Sequence, residues 1–396
     1  MGYSHLNTIH NYKNKELSML KIVSFLLLFL IATQSFATLE NTTCKKCHPV
    51  IYSEYQNSMH AKASIFKDPV HKAVWDKHPA KPKGNYKCAK CHTPSDHQLM
   101  LGKSTLIDNQ VQQTEPISCQ QCHKIESIEK HTKANKNILS KKEKTFYSAN
   151  KKLKGTKVVF KEEHHFFGLS TSKTGSPYHD IDYGNENFYN GNMCMGCHSH
   201  KQNGKAFAVC DMEIKKGDSK ETCISCHMPQ VKGSLANQKQ STTHAFHGHS
   251  IHTVTPTTLS KYIKFSITQN ENGFSVHIKN EAIHTLFPQP LRLNQLRVSI
   301  ERKGKVIPLK TESFVKVIGK DGNPVMPWLA DSVLKDTLIK ALETRKIHYN
   351  TILQKDDVVI LKFGYYLVNP KAAKKLGIID KSVTKFIVLT KKRISI

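Results

Sequence analysis

Five copies of C-x-x-C-H constrain this chain more than anything else in it: Cys44-Lys-Lys-Cys47-His48, Cys88-Ala-Lys-Cys91-His92, Cys119-Gln-Gln-Cys122-His123, Cys194-Met-Gly-Cys197-His198 and Cys223-Ile-Ser-Cys226-His227. Two thiols separated by two residues each add to one vinyl group of a porphyrin, and the histidine that follows turns its imidazole under the iron. Disulfides and zinc knuckles also use paired cysteines, but neither calls for a histidine directly after every second cysteine. The expected cofactors are therefore five covalently bound c-type haems. Cys210 is the one cysteine left over and reads as a small buried residue.

All eleven cysteines lie between Cys44 and Cys226 of the 396 residues, so the stretch 259–396 must bury a core of its own. Near the N-terminus, Lys21 precedes the apolar run Ile22 to Ala32, which leads to Ser35-Phe36-Ala37. That is the pattern of a cleaved secretory signal over 1–37, with Met19 as the natural start and residues 1–18 an upstream extension. The expected location is the periplasm. The formal net charge of +28 would ordinarily raise nucleic acid as a partner, and export argues against it. The basic surface suits acidic redox proteins or an anionic membrane face, with peripheral association as one expectation.

The expected architecture is α+β. A pentahaem domain over 38–258, with short helices and little regular structure, precedes an antiparallel β-sandwich over 259–396. In the first, the macrocycles take the place of a hydrophobic core, and the motif spacing favours close packing of the second haem with the third and of the fourth with the fifth. Lys130 to Lys161 reads as an exposed, Lys-rich insertion. In the second, period-two runs mark strands at Tyr262–Thr268, Phe274–Ile278, Leu296–Ile300, Phe314–Ile318, Val358–Tyr366 and Lys385–Leu389, with helices at Leu329–Thr344 and Pro370–Leu376.

Whether such a chain carries electrons or also performs catalysis turns on the sixth ligand of each iron. The proximal ligands are His48, His92, His123, His198 and His227. His60 ends a predicted helix from Pro49, and twelve helical residues span about 18 Å, so His60 should serve a haem other than that of His48. His179 in Ser176-Pro-Tyr-His179 is a second candidate, and the cluster His244-Ala-Phe-His247-Gly-His249-Ser-Ile-His252 supplies one or two more. His131 is a further option, and His284 is singled out in the second domain. Met59, Met195 and Met228 read as packing residues. No C-x-x-C-K occurs, so the lysine-ligated haem of pentahaem nitrite reductases has no counterpart.

At these residues the chain resembles multihaem cytochromes related to the nitrifier tetrahaem cytochrome that accepts electrons from hydroxylamine oxidoreductase. The matching features are the first motif with Tyr52, Ser58-Met-His60-Ala61, the extended motif Cys226-His227-Met228-Pro229, and His244-Ala-Phe-His-Gly-His249. A subset of that family carries a C-terminal β-domain whose loop is similar to Asn280–Pro288, followed by Pro290-Leu291-Arg292. The resemblance implies electron transfer in respiration through bis-histidine haems, with His60, His179, His244 or His249, and His284 as ligands. The leading expectation is an electron carrier of an anaerobic respiratory chain, between a quinol-oxidising membrane cytochrome and a periplasmic reductase. The alternative is a reductase of a small nitrogen or sulfur oxyanion at one open haem.

Overall fold

The computed structural model describes residues 40–96, 99, 114–233, 243–248 and 259–396. The signal segment and the candidates His249 and His252 lie outside them. Glu40–Ile396 forms one compact unit. Its first half is built on short helices: α1 (Asn41–Lys45), α2 (Pro49–Asn57), α3 (Pro69–Asp76), α4 (Ala89–His92), α5 (Cys119–His123), α6 (Asn187–Asn190) and α7 (Cys223–His227). Local chemistry explains them. Pro49 and Pro69 fill first-turn positions where no amide hydrogen is needed. Asp68 accepts from Val70 and His71 to cap α3, and Thr222 and Ser225 cap α7 reciprocally. In α5 and α7 one helical turn brings both thiols and the histidine, at positions i, i+3 and i+4, to one side.

Five small sheets lie between and after the motifs. β1 (Ile125–Glu129) pairs with β2 (Lys136–Leu139), and β3 (Thr145–Tyr147) runs parallel to β7 (Asp180–Asp182), which also takes β4 (Lys157–Val158). The hairpin of β5 (Lys161–His165) and β6 (Ser170–Thr174) comes between, β8 (His200–Gln202) pairs with β9 (Ala208–Asp211), and β10 (Gln230–Lys232) pairs with β11 (Thr243–Ala245). The Lys-rich stretch is exposed along most of its length, as expected, and anchored at a few points. Ala134, Thr145 and Tyr147 are buried, and Asn137 packs so closely on Gly196 that a side chain there would collide with it.

The β5–β6 hairpin that follows this stretch is the most exposed part of the first half. Every residue of both strands is exposed, and the tip carries Phe166, Phe167 and Leu169 in solvent. A lone two-stranded hairpin is marginal in water. Chymotrypsin at low concentration is therefore expected to nick Phe166–Leu169 first without loss of haem; a first cut in the C-terminal half would contradict this placement.

The second half is the expected antiparallel sandwich. β12 (Ile263–Asn270), β13 (Gly273–Asn280) and β20 (Thr344–Tyr349) form one sheet, and β14 (Leu293–Arg302), β15 (Lys305–Pro308), β16 (Glu312–Phe314), β21 (Val358–Tyr366) and β22 (Phe386–Ser395) form the other. Phe265, Phe274, Val276 and Ile278 of the first sheet share one core with Leu296, Val298, Leu361 and Phe363 of the second. α8 (Pro370–Leu376) is the short helix predicted there, capped by Asn369. Leu329–Thr344 is not helical: β17 (Lys316–Lys320) pairs with β18 (Asn323–Pro324) and with β19 (Ser332–Asp336), and Leu338 and Ile339 then plug the core. Pairing with a preformed edge outweighs weak helical spacing in that stretch.

The first half has a far smaller apolar cluster, Ile65, Trp75, Tyr86, Ala89 and Leu99. That contrast is what macrocycles acting as core require.

Candidate haem sites

Two imidazoles that bind one metal from opposite sides, with each bond about 2 Å, hold their ring centroids about 6 Å apart. Four of the five proximal histidines face a second histidine at that separation. His48 lies 6.3 Å from His179, His123 6.3 Å from His247, His198 6.1 Å from His60, and His227 6.1 Å from His284.

Hydrogen bonds fix which nitrogen is presented. His123 Nδ1 lies 2.7 Å from the carbonyl of Tyr147, His247 Nδ1 2.6 Å from that of Ala245, and His284 Nδ1 2.9 Å from that of Thr285. When Nδ1 donates to a carbonyl, Nε2 is left as the lone-pair donor to a metal. Burial supports the same state, since it disfavours imidazolium: it lowers the pKa of His123, His198, His179 and His284, and brings that of His247 down to about 4.

The second motif differs. His92 lies beside His71, with centroids only 3.9 Å apart. Both Nδ1 atoms reach the one carbonyl of Ala63, at 3.1 and 3.2 Å. His71 is also 3.1 Å from the Tyr86 hydroxyl through Nε2, and burial pushes its pKa down to about 3. No iron fits between rings so placed, and among the described residues no other imidazole faces His92.

The remaining histidine candidates have other partners. His244 is buried with its Nε2 3.0 Å from Glu54 Oε1 and its Nδ1 against the Gly233 carbonyl, so it faces no proximal ring. The cluster contributes His247 instead, whose amide donates to the other oxygen of Glu54. Glu54 on α2 thus orients the ring opposite His123. His131 is exposed and accepts from the Lys133 amide.

His284 comes from the sandwich, and its loop is held by polar groups. Asn280, fully buried, donates to the carbonyls of His284 and Lys340 at 2.9 and 2.8 Å and accepts from the Ala282 amide. Thr285 donates to Glu213 at 2.7 Å, and Lys340 pairs with the same oxygen at 2.8 Å. These two partners, together with Lys316, outweigh burial and hold the Glu213 carboxyl below its ordinary value. Asn280→Ala strands two carbonyls and one amide and is expected to cost about 2–3 kcal/mol. It should also convert part of the fifth site to high spin, read by electron paramagnetic resonance; a spectrum identical to the parent's would show that the loop holds His284 without Asn280.

Thiol contacts show which sites adjoin. Cys44 lies beside Cys119, Cys91 beside Cys197, and Cys194 beside Cys223. Cys122 lies within electrostatic reach of both Cys194 and Cys197. The fourth site thus adjoins the second, third and fifth, and the third adjoins the first. The fourth–fifth pairing matches the motif spacing, whereas the second site packs on the fourth rather than on the third.

The residues fit haem on independent grounds. The hydroxyls of Ser64, Thr93 and Ser199 are buried without a partner among the described residues, and Thr93 and Ser199 directly follow His92 and His198. Orphaned polar atoms beside proximal histidines call for a polar cofactor edge to complete them.

A family model described as cytochrome c554 and c-prime matches residues 43–124. No curated protein matches the chain. Among solved structures, a penta-heme cytochrome c552 from Thermochromatium tepidum is similar at 21% identity and a TM-score of 0.66, covering 90% of this chain and 99% of that one. That likeness extends the shared fold across both halves. The motifs, the facing imidazoles and these two likenesses together support a multihaem c-type cytochrome.

Proposed function

We propose that the chain carries five c-type haems in the periplasm and transfers electrons in an anaerobic respiratory chain. The observation that carries this reading is the set of four facing imidazole pairs at 6.1–6.3 Å, because a doubly ligated iron exchanges electrons without binding substrate. Haem, when bound, supplies one-electron exchange. The chain's residues do the rest. Backbone carbonyls set the tautomers of His123, His247 and His284, and burial keeps these rings neutral. Cysteines of neighbouring motifs lie side by side, which sets neighbouring sites next to one another. With a formal charge of +28, the surface suits acidic redox partners or an anionic membrane face, consistent with a quinol-oxidising membrane cytochrome as donor and a periplasmic reductase as acceptor.

A pyridine haemochromogen assay on the purified chain should give five haems, and low-temperature electron paramagnetic resonance of the oxidised protein should be dominated by low-spin signals. Fewer haems, or a mainly high-spin spectrum, would defeat the proposal.

A second reading is favoured by one observation, the placement of His71 beside His92 rather than across from it. On that reading the second haem has an open face and reduces a small nitrogen or sulfur oxyanion. A high-spin signal that shifts on adding nitrite, sulfite or hydroxylamine would support it; indifference to all three would remove it.

A further inference from the structure

The sandwich carries a partly buried arginine with one guanidinium nitrogen left over. Arg292 follows Pro290-Leu291 at the foot of β14. Its Nη1 is buried and has no hydrogen-bond partner among the described residues. The side chain is nonetheless held in place. Nε donates to Gln289 Oε1 at 3.0 Å, the Arg292 amide donates to the Gln289 carbonyl at 3.0 Å, and the Leu291 carbonyl accepts from Asn369 at 2.7 Å. A guanidinium is always charged in proteins, and a buried charged donor without a partner is among the costliest arrangements a fold can hold.

The ionisable neighbours that act on it are Asp68, Cys210 and Tyr365. Burial keeps the Cys210 thiol protonated and pushes the Tyr365 phenol up to about 12, so neither is an anion at neutral pH. Asp68 is the one anion among them, yet its Oδ1 accepts from Val70 and His71 at 2.9 and 3.2 Å and no hydrogen bond joins it to Arg292 among the described residues. Lys316, which like Arg292 acts on Cys210, is paired with Glu213.

The neighbourhood identifies the missing anion. Asp68 also acts on His92, and Lys201, across the β8–β9 hairpin from Cys210, acts on Cys88 and Cys91. Val70 of α3 packs on the sandwich core, and the ring of the next residue, His71, lies 3.9 Å from that of His92, so this side of the sandwich faces the second C-x-x-C-H site; haem brings two carboxylates to each such site. We propose that Arg292 binds a propionate of the second haem, through which the sandwich sets the charge at that haem. This rests on the haem reading above. The planar fork of arginine matches a carboxylate in a way that lysine does not.

The test is a spectroelectrochemical titration of the full haem-loaded chain as a function of pH, on Arg292→Gln and Arg292→Lys, with haem content checked first. Removing the cation favours the oxidised state, so Arg292→Gln should shift the reduction equilibrium of one haem by about tenfold, 59 mV for a one-electron couple, towards lower potential. The same haem should acquire a pH-dependent potential near neutrality, because a propionate without its cation titrates at higher pH. Arg292→Lys should retain most of the potential but still move the pH profile. Should Arg292→Gln fail to accumulate, Arg292→Lys decides alone. Potentials and pH profiles that match the parent's in every available variant overturn the proposal. A parent chain with fewer than five haems instead overturns the haem reading, and this assignment with it only if the missing haem is the second.

Discussion

Cys194→Ala/Cys197→Ala is expected to yield a chain with one haem fewer and a steep loss of folded protein. The fourth site adjoins three others, with Cys91 and Cys223 lying beside its two cysteines. An unfilled haem seat leaves a void of several hundred cubic ångströms. At about 24 cal/mol per Å³, even 300 Å³ costs roughly 7 kcal/mol, comparable to the whole stability of a typical domain, about 5–15 kcal/mol. Haem per chain and the yield of soluble protein are the measurements. A variant that kept its yield after losing the fourth haem would show that residues 40–233 possess a core the structure does not reveal.

His60→Ala should have the second largest effect, on the site rather than on the fold. His60 lies past the end of α2 and faces His198. Its loss opens one side of the fourth iron at the junction of the array, so a new high-spin signal should appear and electron flow from the first and third sites to the second and fifth should slow. The stability cost should stay at about 1–3 kcal/mol, that of one buried polar partner. His131→Ala, at an exposed ring, is the control and should change nothing. An unaltered low-spin spectrum for His60→Ala would mean that His198 takes its sixth ligand elsewhere.

Much of the fold was legible because its signals are local. β12, β13, β14 and β21 follow the period-two runs, since alternate side chains of a strand face one core. Where the signal was weak, pairing decided. Ser332–Asp336 became a strand because Lys316–Lys320 offers it an edge. The Lys-rich stretch is solvated over most of its length, as its composition indicates, but composition does not show that the carbonyl of Tyr147 within it serves the third site.

The candidate sites divide in the same way. Among the distal candidates, His60, His179 and His284 each stand opposite a proximal ring, and His244 does not. The telling feature of that cluster was Glu54, whose carboxylate takes His244 and the amide of His247 together. Nothing in the spacing of the histidines reveals a carboxylate so far away in the chain.

By itself, the sequence determined where haem can be attached, because two thiols and an imidazole within five residues need only one turn of backbone to act together. It also determined that the second half is a sandwich, because strand periodicity is written residue by residue. Which histidine faces which site was decided by the tertiary structure alone. His179 precedes the fourth motif yet faces the first, His60 follows the first yet faces the fourth, and His284 reaches the fifth from the other half of the molecule. A coordination bond requires two groups to meet in space, and over such separations that meeting depends on packing.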